Sequence, residues 1–459
     1  MKKIFLMAIA ALLFAAPAAQ AQKVNRESLV AALEKSDAEI LDAKKNVKAA
    51  TWLKRAQTIF AAIAAPVGTS KDGNPSIYAE MPINMLSVAF GNPKSIEDVT
   101  LASGPAHAYK YNWVTVYEQN GVVSCWEQKK QVRPDLYKQL TEALNKAYEL
   151  DPKMAPKVMA ELKKAINFFT EEGQMLFACG SYEKASKSFM KAYRLQQSPA
   201  FSGTVNYDLI YNAAYSSVME GSVNTANTEA FTRAEKLFVQ ALKDGYTDDM
   251  GRCYYYLFHS RFGQLPQLEG EARAAMLLAA KEALVEGVAK YPTNENMIRS
   301  LVGLYMQEPT AGDPSELINM IKAAIERDPQ SVQMWASLSL ACYQMKDYEG
   351  AIAAAEKAAE LAPNNFESYY RLGVFYTEKG NSLNERLNGY YPTQAEYDAD
   401  LALRSEAYRE ALPWFEKAHE VDPANRSTVE YLKQLYFILR DEPGMMDKYN
   451  KYHELYMNR

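Results

Sequence analysis

The chain has 459 residues, 48% hydrophobic and 23% charged, which excludes an intrinsically disordered chain and is too long for one compact core. Two or three domains, or one long repeat array, are the options left. A net charge of −5, dispersed along the chain, excludes a general nucleic-acid binder.

The first 22 residues, MKKIFLMAIAALLFAAPAAQAQ, pair a positive start (Lys2, Lys3) with an apolar stretch over 4–16 too short to cross a bilayer. Ala19 and Ala21 then form a small-x-small site. The pattern predicts a secretory signal over 1–21, cleaved after Ala21. Without Lys2 and Lys3, 49 basic residues face 56 acidic ones, a net −7. No later stretch approaches 18 uninterrupted apolar residues, so the mature chain is expected to be soluble, with no transmembrane segment.

Residues 22–65 are expected to open a helical array. ATWLKRAQTIFAAI (50–63) carries Trp52, Ala56 and Ile59 at helical spacing. Its natural partner, LYKQLTEALNKAYELDP (136–152), with Leu140, Leu144, Ala147 and Pro152, lies some seventy residues on. One helix pair is therefore expected to be split by a small α/β module over 66–130. Within it, MPINMLSVAFGNP predicts a helix stopped at Gly91 and Pro93. YNWVTVYEQNGVVSCWEQ (111–128) predicts a hairpin turning at Asn120-Gly121, with Val114 and Val116 facing Val123 and Cys125. Cys125, Cys179, Cys253 and Cys342 are far apart, and each sits in an apolar helix or strand. All four are expected to be buried free thiols.

Over 131–459 one small unit recurs. Ala351, Ala355, Ala358 and Pro363 match Ala411, Phe415, Ala418 and Pro423 with spacing +4, +3, +5 both times. WASLSLACYQM (Trp335, Leu338, Cys342) and YYRLGVFYTEKG (Tyr369, Leu372, Gly373, Tyr376) are the preceding partner helices. Pro329 to Pro363 is 34 residues; Pro363 to Pro423 is 60, or 26 more than one period. The surplus, at 381–407, predicts an extended helical hairpin with Tyr390 and Tyr391 near its tip.

The period and the repeated small, aromatic and proline positions resemble the tetratricopeptide repeat family. GSYEKASKSFMKAY, FTRAEKLFVQALKDG, AKEALVEGVAKYP and ELINMIKAAIERDP repeat the pattern, and GMMDKYNKYHELYMNR is a looser end unit. The resemblance implies an all-α, right-handed superhelical solenoid of antiparallel helix pairs, interrupted by the α/β insertion, that receives a peptide or protein partner in a groove lined by the first helices. Repeat geometry would put Arg299, Met306, Leu340, Tyr343, Tyr370, Arg371, Val374 and Thr377 on that groove. The family's Lys and Asn clamp for carboxylates does not carry over, because Ala336 and Leu340 stand in the corresponding places.

No catalytic motif, phosphate loop, metal-ligand spacing or cofactor fingerprint is present. His107, His259, His419 and His453 are distant in sequence, with His419 expected at the surface. DGYTDDM (244–250) reads as a turn capping the following helix. The expected function is that of a non-catalytic, exported interaction scaffold, with no cofactor and no metal. Two alternatives stay open: an envelope chaperone or assembly factor for outer-membrane or secreted proteins, and an enzyme with its site in the 66–130 module. The expected destination is the periplasm, with outer-membrane association or surface exposure also open.

Overall fold

The computed structural model describes residues 24–225, 227–312 and 315–457, in two compact units that divide between Tyr246 and Thr247. The expected signal at 1–21 lies outside the described residues. No described helix is long and apolar enough to cross a membrane.

The first unit opens with α1 (Arg26–Leu41) and α2 (Ala49–Ala64). A short helix, α3 (Asn84–Phe90), precedes strands β1 (Ser95–Leu101), β2 (Gly104–Lys110), β3 (Val114–Gln119) and β4 (Val122–Gln128), an antiparallel sheet in the order β1-β2-β3-β4. Helices resume with α4 (Leu136–Leu150), α5 (Ala155–Ala178), α6 (Tyr182–Leu195), α7 (Asp208–Val223) and α8 (Thr228–Lys243). α2 packs on α4 across the sheet module, α5 on α6, and α7 on α8. The small and aromatic positions Ala185, Phe189 and Ala192 of α6, and Ala234, Phe238 and Ala241 of α8, are all buried.

Asn120 (φ 55°) and Gly121 (φ 82°) both take left-handed backbone and make the two-residue β3–β4 turn. Beyond it Tyr117 pairs with Cys125 and Glu118 with Val123, which leaves Ser124 over as a bulge. The expected alternation is therefore corrected: Val116 faces Trp126, while Cys125 faces Tyr117, because a one-residue slip turns a side chain to the opposite face. Cys125 meets Cys179, at the end of α5, in a disulfide with Cα atoms 5.7 Å apart. This corrects the expectation of four free thiols. A separation of 54 residues carries no local pairing signal, and only packing of β4 on α5 brings the two together. Cys253 and Cys342 are buried thiols, and burial pushes the Cys342 thiol up to about 11.

Other contacts stitch the module to the helices. The Trp126 indole N–H donates to the Ile77 carbonyl at 2.9 Å, and Glu127 pairs with Lys129 at 2.8 Å and with Lys184 at the start of α6. Asn167 of α5 donates to the Asp72 carbonyl at 3.0 Å. Next to it Gly73 (φ +88°) passes so close that a Cβ there would lie 2.3 Å from the Lys164 carbonyl oxygen. Asp37 of α1 accepts from Arg55 and Arg133, each at 2.6 Å; the two cations hold its carboxyl below the usual range despite partial burial.

The second unit contains α9 (Arg252–Phe262), α10 (Gly270–Lys290), α11 (Glu295–Gln307), α12 (Ser315–Arg327), α13 (Val332–Gln344), α14 (Tyr348–Leu361), α15 (Phe366–Asn381), α16 (Asn384–Leu387), α17 (Gln394–Val421), α18 (Arg426–Ile438) and α19 (Met445–Met457). The pairs α9/α10, α13/α14, α15/α17 and α18/α19 pack most closely. Four first helices start alike. Asn294, Ser331, Asn365 and Asn425 each lie two residues after a proline (Pro292, Pro329, Pro363, Pro423), and each side chain accepts from the backbone N–H three residues on. The proline ends one helix and the cap begins the next. Asp248 does the same work at α9, accepting from the Arg252 N–H.

The surplus at 381–407 is not a symmetrical hairpin. Its first arm breaks after Asn381 into the single turn α16, and only α17, 28 residues long, is extended. Asp400, buried in α17, accepts from Tyr391 at 2.6 Å and pairs with Arg386 at 2.7 Å, which folds the polar arm back. Tyr390 is 91% exposed, whereas Tyr391 is held. Tyr390 thus lies in the exposed turn as expected, and only the expectation of a free Tyr391 is corrected.

In α15, Gly373 lies against Phe415 of α17, where a Cβ would sit 2.7 Å from the ring. Gly303, inside α11, has nothing within 4 Å of its Cβ position. Gly373→Ala is expected to cost about 1–3 kcal/mol by overpacking. Gly303→Ala is expected to add up to about 1 kcal/mol from helix propensity. Urea unfolding of the two variants should move in opposite directions. Denatured without reductant, the chain should titrate two thiols, and four after reduction; a count of four at the outset would disprove the Cys125–Cys179 bond.

Candidate functional site

The first helices of the second unit share one numbering. Counted from the preceding proline, Arg299, Ala336, Tyr370 and Glu430 stand at +7, and Arg371 and Tyr431 at +8. Leu340, Val374 and Gln434 stand at +11, Met306, Tyr343, Thr377 and Phe437 at +14, and Glu378 and Ile438 at +15. Repeat counting puts these residues on the side of each helix opposite Leu338, Leu372 and Leu432, which are buried.

Several of the expected groove residues are drawn inward. Arg371 donates through Nη2 to Glu295 of α11 at 2.7 Å, and through Nε to Glu367 one turn back at 2.7 Å. Its side chain is 14% exposed, and the two carboxylates raise its already high pKa against the effect of burial. Glu295 also lies 3.7 Å from Arg299, which stays about half exposed. The Glu295–Arg371 bridge draws α11 and α15, the first helices on either side of α13, into side-chain reach, and Leu340 is closed off at 3% exposure. Thr377 is buried as well, its hydroxyl donating to the Gly373 carbonyl at 2.7 Å. Leu340 and Thr377 are therefore core residues, which corrects the expectation. Met306 lies in α11, and its side chain is outside the described residues.

Tyr343, Tyr370 and Val374 remain half-buried. Tyr343 stacks on Phe375 at 4.8 Å. Tyr370 packs edge-on to Phe415 (5.8 Å) and to Tyr431 (6.0 Å), and Val374 lies against the same core of α17 and α18. Burial, then the charge of Glu378, pushes the phenols of Tyr343, Tyr348 and Tyr431 up. Glu295, Glu367, Glu378, Glu430 and Tyr431 were missed from sequence. Glu295 and Glu367 could have been found as Glu residues four before Arg299 and Arg371. Tyr431 and Glu430 could have been found by carrying the proline count into α18.

The histidines fall on four elements: His107 on β2, His259 on α9, His419 on α17 and His453 on α19. His419 is half-buried with its ring 5.6 Å from Tyr452, and not a surface residue as expected. Burial pushes His259 down to about 4. In the module, His107 Nδ1 lies 2.8 Å from Asp98, with side chains 55% and 93% exposed, so neither group is desolvated for catalysis. Among the described residues no group of three or more His, Cys, Asp or Glu could hold a metal.

A family model described as TPR repeat matches residues 340–380, which span the end of α13, all of α14 and most of α15. PEX5-related protein from Homo sapiens is 26% identical over 137 residues, 29% of this chain and 21% of that protein. Interferon-induced protein with tetratricopeptide repeats 2 from Cricetulus griseus is 24% identical over 159 residues, 35% of this chain and 31% of that protein. The chain thus spans about a fifth to a third of these relatives. Among solved structures, the C-terminal part of a TPR repeat-containing protein from Cytophaga hutchinsonii is 16% identical, covering 62% of this chain and 93% of that one, with a TM-score of 0.34. MamA is 20% identical over 40% of this chain and 89% of its own, with a TM-score of 0.26.

The closed bridge makes a prediction. Arg371→Ala removes the cation shared by Glu295 and Glu367, leaving Glu295 only Arg299 at 3.7 Å, and is expected to cost about 1 kcal/mol, a value kept low because both carboxylates are open to solvent. Arg299→Ala is expected to cost almost nothing. A double-mutant cycle of Arg371→Ala with Glu295→Gln, read by urea unfolding, checks the coupling; zero coupling would mean the bridge is not formed in solution.

Proposed function

We propose that this chain, built of tetratricopeptide repeats, is a non-catalytic interaction protein that works outside the cytosol. It holds a peptide segment of a protein partner on the first-helix face of its second unit. Repeats of this kind act in protein–protein interaction. The observation that carries the reading is the split between positions. The repeat-signature residues Ala351, Ala355, Ala358, Ala411, Phe415 and Ala418 are buried, while Arg299, Tyr343 and Tyr370 on the first helices keep part of their surface in water. Rigid helices hold those side chains in place, so little conformational entropy is lost on binding. Export is supported by the signal-like first 21 residues and by the Cys125–Cys179 disulfide, a bond that persists in oxidising compartments such as the periplasm.

The experiment is site-directed photo-crosslinking in the native cell, with a photoreactive residue in place of Gln344 beside Tyr343. A discrete crosslinked partner is expected. Arg299→Ala combined with Tyr343→Ala should lower its capture at least tenfold, since aromatic and Arg anchors carry a large share of interface energy. Tyr390→Ala, on the exposed 381–407 segment, should leave capture unchanged. The reverse result would make that segment the recognition element and remove the first-helix reading.

A further inference from the structure

The first unit holds a cavity of about 230 Å³ that the first-helix reading does not use. It opens between the end of α2, the residues after β4, the start of α4 and the facing sides of α5 and α6. Ile63, Val132, Leu136 and Phe169 give it apolar walls. Three polar side chains converge on it from separate elements: Gln128 from β4, Glu172 from α5 and Lys191 from α6.

None of the three is used up by the protein. The Gln128 amide nitrogen is buried and has no hydrogen-bond partner. A buried donor left unpaired loses its hydration with nothing in return, so it calls for an acceptor. The Lys191 ammonium lies over the Phe169 ring, 4.8 Å from its centre, and 3.9 Å from Glu172 Oε2, beyond hydrogen-bond reach. Its backbone is fixed there: the Lys191 carbonyl accepts from the Tyr137 hydroxyl at 3.0 Å, and Tyr137 packs edge-on to Phe169 at 5.5 Å. Glu172 is buried. The Ser188 hydroxyl donates to its Oε2, and among the described residues no group donates to its Oε1.

The charges nearly balance. Glu172 and Lys191 cancel. Asp135, exposed at the rim, adds one negative charge, but it begins α4 without capping it, so the positive end of that helix lies at the same opening. Such a cavity suits neither a simple anion nor a simple cation. It suits a small ligand of no net charge that carries both signs beside an apolar body.

We propose that this cavity binds an α-amino acid with an aliphatic side chain, as its zwitterion. Gln128 Nε2 and Lys191 Nζ donate to the carboxylate, Glu172 accepts from the ammonium, and the side chain lies against Ile63, Leu136 and Phe169. The volume is below the about 300–1,000 Å³ of pockets for larger ligands, which limits the occupant to a single amino acid. Every group involved belongs to the first unit, so the proposal stands apart from the reading of the second.

The test is isothermal titration calorimetry on the exported chain with L-leucine, L-valine, isocaproate and isoamylamine. Isocaproate is leucine without its ammonium, and isoamylamine is leucine without its carboxylate. At least one of the two amino acids should bind with a Kd below about 1 mM, and both analogues at least tenfold more weakly. Gln128→Met keeps the length of the side chain and removes the unpaired donor. It should leave the melting temperature unchanged or raise it, yet weaken amino-acid binding at least tenfold, a split that a merely structural glutamine would not show. Binding of neither amino acid, an analogue that binds as tightly as L-leucine, or full affinity in Gln128→Met would each overturn the proposal.

Discussion

The structure depends on how closely the two helices of a pair can approach. In α15 the backbone at Gly373 meets the Phe415 ring of α17, and in α5 the backbone at Gly173 meets Phe189 of α6 in the same manner; a Cβ at either glycine would lie 2.7 Å from the ring. An aromatic ring seated on a bare helix backbone fixes both the separation and the rotation of the pair. It leaves room on either side only for small residues. Ala351, Ala355 and Ala358 of α14, and Ala411 and Ala418 of α17, fill those places and are 2% exposed or less. A helix pair of this length has no core of its own; its apolar stripe is covered by the next pair, and stability accumulates by neighbours.

That geometry also decides which side chains are available for recognition. With successive first helices held this close, a long side chain on one can reach past its neighbour, and Arg371 does so to meet Glu295. The bridge holds the Arg371 guanidinium on a side chain only 14% exposed, and Leu340 of α13 is buried as well. What stays partly accessible is Arg299, Tyr343, Tyr370 and Tyr431.

The sheet module of the first unit obeys a different constraint. It interrupts the α2/α4 pair without displacing it, because the cost of closing a longer loop rises slowly with length. The module does not hang free. The Cys125–Cys179 bond, the Glu127–Lys184 pair and the close passage of Gly73 over Lys164 fasten it to α5 and α6. Replacing it with a linker would therefore expose buried helix surface as well as shorten the chain.

Local and periodic information was enough for the repeats. The 34-residue spacing, the buried Ala and Phe positions, the stop-and-cap geometry behind each proline and the Asn120-Gly121 turn all depend on residues within a few positions of one another, and they could be read along the chain. The disulfide, the bulge at Ser124, the folded-back arm held by Asp400 and the burial of Leu340 and Thr377 could not. Each is decided by contact between segments distant in sequence, where periodicity carries no signal. The same holds for the candidate site. Repeat counting placed its residues on the right helices, but which arginine is masked follows from an ion pair between residues 76 apart, formed only once the helices are packed.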